Sequence, residues 1–378
     1  MRRGIVLPDL LPLLIILLGV LASVAVAWGA DTSLAERTGG LALVCVMHRL
    51  QWALIGVAVL SGLALTTLVV FGRRRAWWLI GLAPVVALFA WRFAGVGPER
   101  SLWVDDQPVF ASAGKSRWLE ETDAIIGLSI DGQAYAYPIS ALGRAPVVVM
   151  NDRERRLMLA FSSGAQSATA TWIDRTVRGR DLEIVCAPAG VLLIYNRRLG
   201  EFFDALTLRT PVDRRVPHGL LGRVPTVRTT WGRWHAEHPE TLVLQPRWAP
   251  SGAPIDGHAA GVTLIWSDPP TIVTAPVENQ PLNLAAGTTV MVIRGEDGAV
   301  RAFDRRVDTD LFLQFTVKSD TRTRRKSLVD GDTGSVWTMD GLAISGPLKG
   351  TRLRALQAQE GVSDPAVRFW APHARWFD

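Results

Sequence analysis

Cysteine is scarce here, with only Cys45 and Cys186 in 378 residues. Two thiols cannot build a disulfide framework. Cys186 lies in the apolar run Glu183-Ile-Val-Cys-Ala and is expected to be buried as a small unpaired hydrophobe. Basic charge is also missing where a nucleic-acid partner would need it. The net charge is +6, but the first 100 residues hold 9 Lys and Arg against 4 Asp and Glu. The remainder holds 32 basic against 31 acidic residues. This near-neutral part lacks the basic footprint of a phosphate-binding surface. Its one basic run, Arg322-Thr-Arg324-Arg325-Lys326, reads as a solvated turn or edge strand.

Local catalytic signatures are missing too. Ser162-Ser163-Gly164 has no G-x-S-x-G frame and reads as a turn. Asp330-Gly-Asp332-Thr-Gly334 lacks the acidic twelfth position of a calcium loop and reads as a hairpin turn. His235 and His238 have a spacing that can bind a metal, but no third ligand is identifiable, so they are weak candidates. No catalytic residue can be named, and no cofactor is expected.

Charge is absent altogether from residues 10–28 and 52–71, and 76–97 holds only Arg92 near its end. A bilayer core of about 30 Å needs about 20 apolar residues as helix, so each stretch is long enough to cross. Arg2 and Arg3 precede the first stretch, and Arg73, Arg74 and Arg75 separate the second from the third. Short basic loops stay cytoplasmic. The expectation is therefore an integral membrane protein with a cytoplasmic N-terminus and a soluble part outside the cytoplasm. Trp28, Trp52, Trp77, Trp78 and Trp91 fall at the ends of these stretches, where aromatic belts form. The apolar run 41–47 is too short to cross and is expected at the interface or on the helical bundle.

After residue 97 the pattern changes to short strands and turns. Asp131-Gly132 sits between two alternating segments, a strong two-residue hairpin signal. Asp297-Gly298 repeats the device, and each second strand closes on an Ala-aromatic pair, Ala136-Tyr137 and Ala302-Phe303. These echoes suggest two related β-rich units, 98–248 and 282–378, with a Pro- and Gly-rich linker or long loop at 249–281. One short helix is expected over 229–237, with Trp231 and Trp234 on a common face and Pro239 ending it.

In the second unit Asp332-Thr-Gly334-Ser-Val-Trp337 runs into Gly341-Leu-Ala-Ile-Ser-Gly346-Pro347-Leu-Lys-Gly350-Thr-Arg-Leu353. This resembles the "domain of unknown function 3179" family, which has a turn-Trp segment followed by Gly-Pro-Leu-x-Gly-Thr-x-Leu. Three further segments resemble family marks: the 126–138 hairpin, Asn151-Asp152, and Trp231-Gly-Arg-Trp234-His-Ala-Glu-His238-Pro239. The likeness covers most of 104–376. The chain departs from it where the family usually carries Cys-Pro-Leu-Cys-Gly, because residues 160–164 read Ala-Phe-Ser-Ser-Gly. The family's His before Asn-Asp is also replaced. Thiol chemistry in relatives therefore does not carry over.

The combined reading is a three-span membrane anchor (1–97) bearing a mainly-β soluble part that binds or assembles without catalysis. Two alternatives are an enzyme or redox or metal accessory with an unidentified site, and a structural subunit of a membrane complex. Expected partners are the lipid bilayer and a membrane protein or a small apolar or peptide ligand. Trp231, Trp234, Trp337, Trp370 and Trp376 are candidates to line a groove for such a ligand, or to fill the core.

Overall fold

The computed structural model describes residues 7–71, 79–80, 82–83, 85–87, 90, 102–152, 155–247, 262–264, 271–273, 281–283, 289–295, 300–308, 311–319, 326–356, 358–360, 369–370 and 375–377. Two long helices, α1 (Leu7–Trp28) and α4 (Gln51–Val70), pack against each other, with Gly19 of α1 leaving room for Ser61 of α4. Both are long and apolar enough to cross a membrane. Leu14, Leu18 and Leu21 of α1 and Leu60 and Leu63 of α4 remain exposed. Most of the third apolar stretch, 76–97, lies outside the described residues.

Between the long helices come α2 (Thr32–Ala35) and α3 (Gly40–Arg49). Asp31 caps α2 by accepting the Leu34 N–H at 3.0 Å. α3 touches α1 and α4, but its buried face, Val44, Cys45 and His48, turns to the β part. Residues 41–47 thus lie between the helices and the β part, because their apolar stripe matches the β core.

The first β body is a stack of layers. Val104–Asp105, Val147–Asp152, Arg155–Ser162, Ser167–Ile173 and Leu220–Val224 form a central five-stranded sheet in that order. Side chains alternate across a strand, so a sheet covered on both faces needs apolar residues at successive positions. Val147, Val149, Met158 and Ala160 point to one core. Val148, Met150, Leu157 and Leu159 point to the other. The first core is closed by the three-stranded sheet of Leu182–Cys186, Leu193–Asn196 and Glu201–Asp204, and by Ala35, Val44 and Cys45 of α2 and α3. The second is closed by a five-stranded sheet that holds the hairpin Ala124–Ile130 and Gln133–Pro138.

That hairpin turns through Asp131 at φ 48° and Gly132 at φ 86°, the double positive φ of a type I′ turn. On its outer face Trp231 and Trp234 of α5 (Trp231–Glu237) pack over Ile125 and Ala136. Gly127 is required there, since a Cβ would lie 2.5 Å from the Trp234 ring. The helix starts two residues later than the 229–237 expected, because Val227–Thr230 is a strand paired with the hairpin.

Among the described residues the C-terminal part includes a four-stranded sheet around Val290–Arg294 and Val300–Asp304 and another around Phe315–Ser319 and Lys326–Asp330, which share one core, besides a third four-stranded sheet and a two-stranded one. Met291, Phe303, Phe315 and Trp337 lie in that shared core. The Asp297-Gly298 turn lies outside the described residues. Within 249–281, Val262–Leu264 and Thr271–Val273 are strands, paired with Ala358–Glu360 and Arg375–Phe377. Among the described residues several contacts join the C-terminal part to the first body, and Trp370 shares the core of the first body. Arg301 donates to Glu237 at 2.9 Å, and the Trp370 indole donates to the Pro188 carbonyl at 2.9 Å.

Candidate functional site

The residues singled out by motif occupy structural positions. Trp337 is fully buried and its indole N–H donates to Asp330 Oδ2 at 2.8 Å. The Asp332-Thr-Gly334 segment forms the turn between Lys326–Asp330 and Val336–Trp337, with Gly334 at φ +72°. Gly346 at φ +90° faces Ser335, whose Cα a Cβ would approach to 2.6 Å. Pro347 follows it, and Gly350 also holds φ +90°. Trp231, Trp234, Trp337 and Trp370 are all buried, so these four fill cores instead of lining a groove. The side chain of Trp376 lies outside the described ones.

His235 stacks on Trp231 at 4.8 Å between ring centroids, and His238 lies 4.2 Å from Trp234. Both imidazoles lie against indole rings. No group of three or more His, Cys, Asp or Glu poised for a metal occurs among the described residues.

Residues 160–164, where the resemblance implies a dithiol, end a strand and enter a turn. Ser162 is buried and its Oγ accepts the Leu192 N–H at 3.0 Å. Gly164 lies against Gly190 so closely that neither can carry a Cβ. The next layer outward is α2. The Ala189 N–H donates to Glu36 Oε1 at 2.8 Å, and the Ala187 N–H to Thr32 Oγ1 at 3.4 Å. Cys45 and Cys186 are both buried, form no disulfide and share one core. Burial pushes the Cys45 thiol up to about 12, only partly offset by Arg49.

The arrangement with chemical content lies under α3. A cavity of about 280 Å³ is lined by Ala30 and His48 from the helical region, by Leu102, Trp103 and Val104, and by residues 182–185 and Arg197. His48 is 1% exposed and sits edge-on to Tyr195 and Phe202. Its Nδ1 lies 3.1 Å from the Gly29 carbonyl. Its Nε2 has no hydrogen bond and lies 3.7 Å from Glu183 Oε2, an ion-pair distance too long for a hydrogen bond. Arg197 Nε donates to the same oxygen at 2.9 Å. Burial pushes the Glu183 carboxyl up, but His48 and Arg197 outweigh it and hold it below the usual carboxylate range.

A family model described as "Protein of unknown function (DUF3179)" matches residues 104–299, just over half of the chain. The chain belongs to the DUF3179 family. No curated protein and no solved structure matches it. The DUF3179 match contains Val104, Glu183 and Arg197 of the cavity, whereas Ala30 and His48 precede it. The helical region thus adds a wall and an imidazole to a surface of the DUF3179 fold. The match ends at 299, so the segment 332–353 lies outside it.

Sequence reasoning missed His48, Glu183 and Arg197. Glu183 carries the one signal, a carboxylate inside the apolar strand Leu182–Cys186.

Proposed function

We propose that this chain is a membrane-anchored binding module whose β body works outside the cytoplasm, holding a ligand or partner without catalysis. The docking of α2 and α3 on the β body carries this reading. These helices lie between α1 and α4. If both long helices cross a bilayer, residues 29–50 and the chain directly after residue 71 are on opposite faces. Yet Thr32 and Glu36 bond to the 187–189 backbone, and Arg49 donates to the Gly200 carbonyl at 2.7 Å. Those contacts support one further crossing between 71 and 102. The stretch 76–97 has the composition for it.

With three crossings, Arg2, Arg3 and Arg73 to Arg75 share one face, which the positive-inside rule makes cytoplasmic. The β body is then outside, periplasmic in a bacterial inner membrane. The cavity supports binding, because it is a concavity into which the polar residues His48, Glu183 and Arg197 converge beside apolar neighbours.

A reporter active only outside the cytoplasm, fused after Asp378, is expected to be active. A silent one, with a cytoplasmic reporter active at the same point, overturns the orientation.

A further inference from the structure

Helix α3 carries two apolar stripes, and the β body covers one of them. Val44, Cys45 and His48 are buried against that body. Leu43, Val46 and Leu50 recur at i, i+3 and i+7, which places them on the opposite side of the helix. All three are exposed, Val46 to 53%. The depth of this second stripe follows from its neighbours. The backbone of Met47 and His48 lies against Gly29, where a Cβ would come within 3.1 Å of the His48 nitrogen. Gly29 directly follows α1, and Leu50 alone separates α3 from α4. Gly19 and Ser61, where α1 and α4 touch, are each ten residues from Gly29 and Gln51. That is about 15 Å of helix, half of a bilayer core of about 30 Å. Among the described residues of the third apolar stretch, Val85 faces Gly19 and Leu82 faces Gly62, at that middle level. Trp28 and Trp52, at the two helix ends beside α3, are exposed as in an interfacial belt.

Arg49 brings part of the β body to the same level. It donates to the Gly200 carbonyl at 2.7 Å, and its guanidinium stands 5.6 Å over the Phe202 ring. Gly200 closes the turn between the paired strands Leu193–Asn196 and Glu201–Asp204, and that turn exposes Arg197, Arg198 and Leu199. We propose that the β body is seated on the surface of the bilayer that α1 and α4 enter. Leu43, Val46, Leu50 and Leu199 are immersed at the boundary of headgroups and acyl chains, and Arg198 meets lipid phosphate. Aliphatic residues beside a cation match the order of groups met on leaving the acyl chains, which is how interfacial helices bind. The proposal rests on the membrane-anchored reading, because the ends of α1 and α4 mark an interface only if these helices cross.

The test uses full-length protein in nanodiscs of phosphatidylcholine and phosphatidylglycerol. Leu43→Cys, Val46→Cys and Leu199→Cys are spin-labelled separately, with Leu63→Cys on α4 as the lipid reference and Asp213→Cys as the water reference. All five positions are exposed, so the fold should be kept, which an unchanged thermal midpoint checks. The native thiols are buried, and brief labelling of the unsubstituted protein supplies the blank. Collisions of each label are compared between oxygen, which concentrates in acyl chains, and a nickel chelate, which stays in water. The oxygen-to-nickel ratio at 43, 46 and 199 is expected to exceed that at Asp213 by about tenfold, a partitioning difference of about 1.4 kcal/mol. Adding Arg198→Glu should bring the ratio at 199 towards the water value and leave the one at Leu63 unchanged.

A water-like ratio at Val46 or at Leu199, with a lipid-like ratio at Leu63, overturns the proposal, because the β body then stands clear of the bilayer. Labels at 43 and 46 shielded from both reagents overturn it too, since a second copy or another protein then covers the stripe. A water-like ratio at Leu63 itself is the failure of the membrane-anchored reading, so the two failures are separate results.

Discussion

Replacing Trp337 by Ala is expected to cost about 3–5 kcal/mol of stability, the usual range for removing a fully buried aromatic side chain. The ring packs edge-on against Phe315 at 5.7 Å and fills the core it shares with Met291, Leu328 and Leu353. The loss has a second part. Asp330 is itself buried, and its carboxylate accepts from the indole and from Thr333. Burial pushes Asp330 up, and these donors outweigh it and hold it below the usual carboxylate range. Its stabilisation is therefore present above the unfolded carboxylate pKa and fades as pH falls through the lowered value. Trp337→Phe keeps most of the ring and drops the donor, so it should cost about 1–3 kcal/mol and flatten that acid-side dependence. Denaturant unfolding of the full chain across pH 3–7 checks both. A loss under about 1 kcal/mol for the Ala variant contradicts a fully buried ring.

Val44→Asp is expected to detach the segment between the long helices from the β body. Val44 is fully buried in the core that also holds Val147, Phe203 and Cys186. An unpaired carboxylate there costs several kcal/mol, as much as the docking of a segment this short can supply. Thiol labelling reports the result. Cys45 is buried beside Val44 with its thiol pushed up, so the native protein should alkylate slowly. The Asp variant should expose Cys45 and label it at least tenfold faster, with Val44→Ala between the two. Unchanged labelling in the Asp variant means that α3 is not held through this face.

The parts of the fold legible in the sequence are those set by local chemistry. Asp131-Gly132 marks its hairpin because a type I′ turn needs positive φ at two successive residues. Gly346 and Gly350 mark turns for the same reason. Two apolar stretches give two long helices because length and composition decide such helices. Where partners are distant in the chain, the sequence is silent. His48 and Glu183 meet across 135 positions, and neither carries a local signature of the other. Gly40–Arg49 has the apolar content of an interfacial helix, and only the β core shows where its stripe goes. Val262–Leu264 and Thr271–Val273 read as part of a linker because their partners lie near the C-terminus. The tryptophans read equally as groove or core, and burial decided four of them.

The central claim is that the segment between α1 and α4 shares one side of the membrane with the β body, which takes three crossings. Arg37 and Asp213 are both exposed, one on each partner, and the two native thiols are buried. Arg37→Cys and Asp213→Cys, made separately, can be probed with a membrane-impermeant maleimide on spheroplasts, whose inner membrane is intact. The account predicts that both label without lysis and to the same extent. Labelling of one position before lysis and of the other only after it would contradict the account.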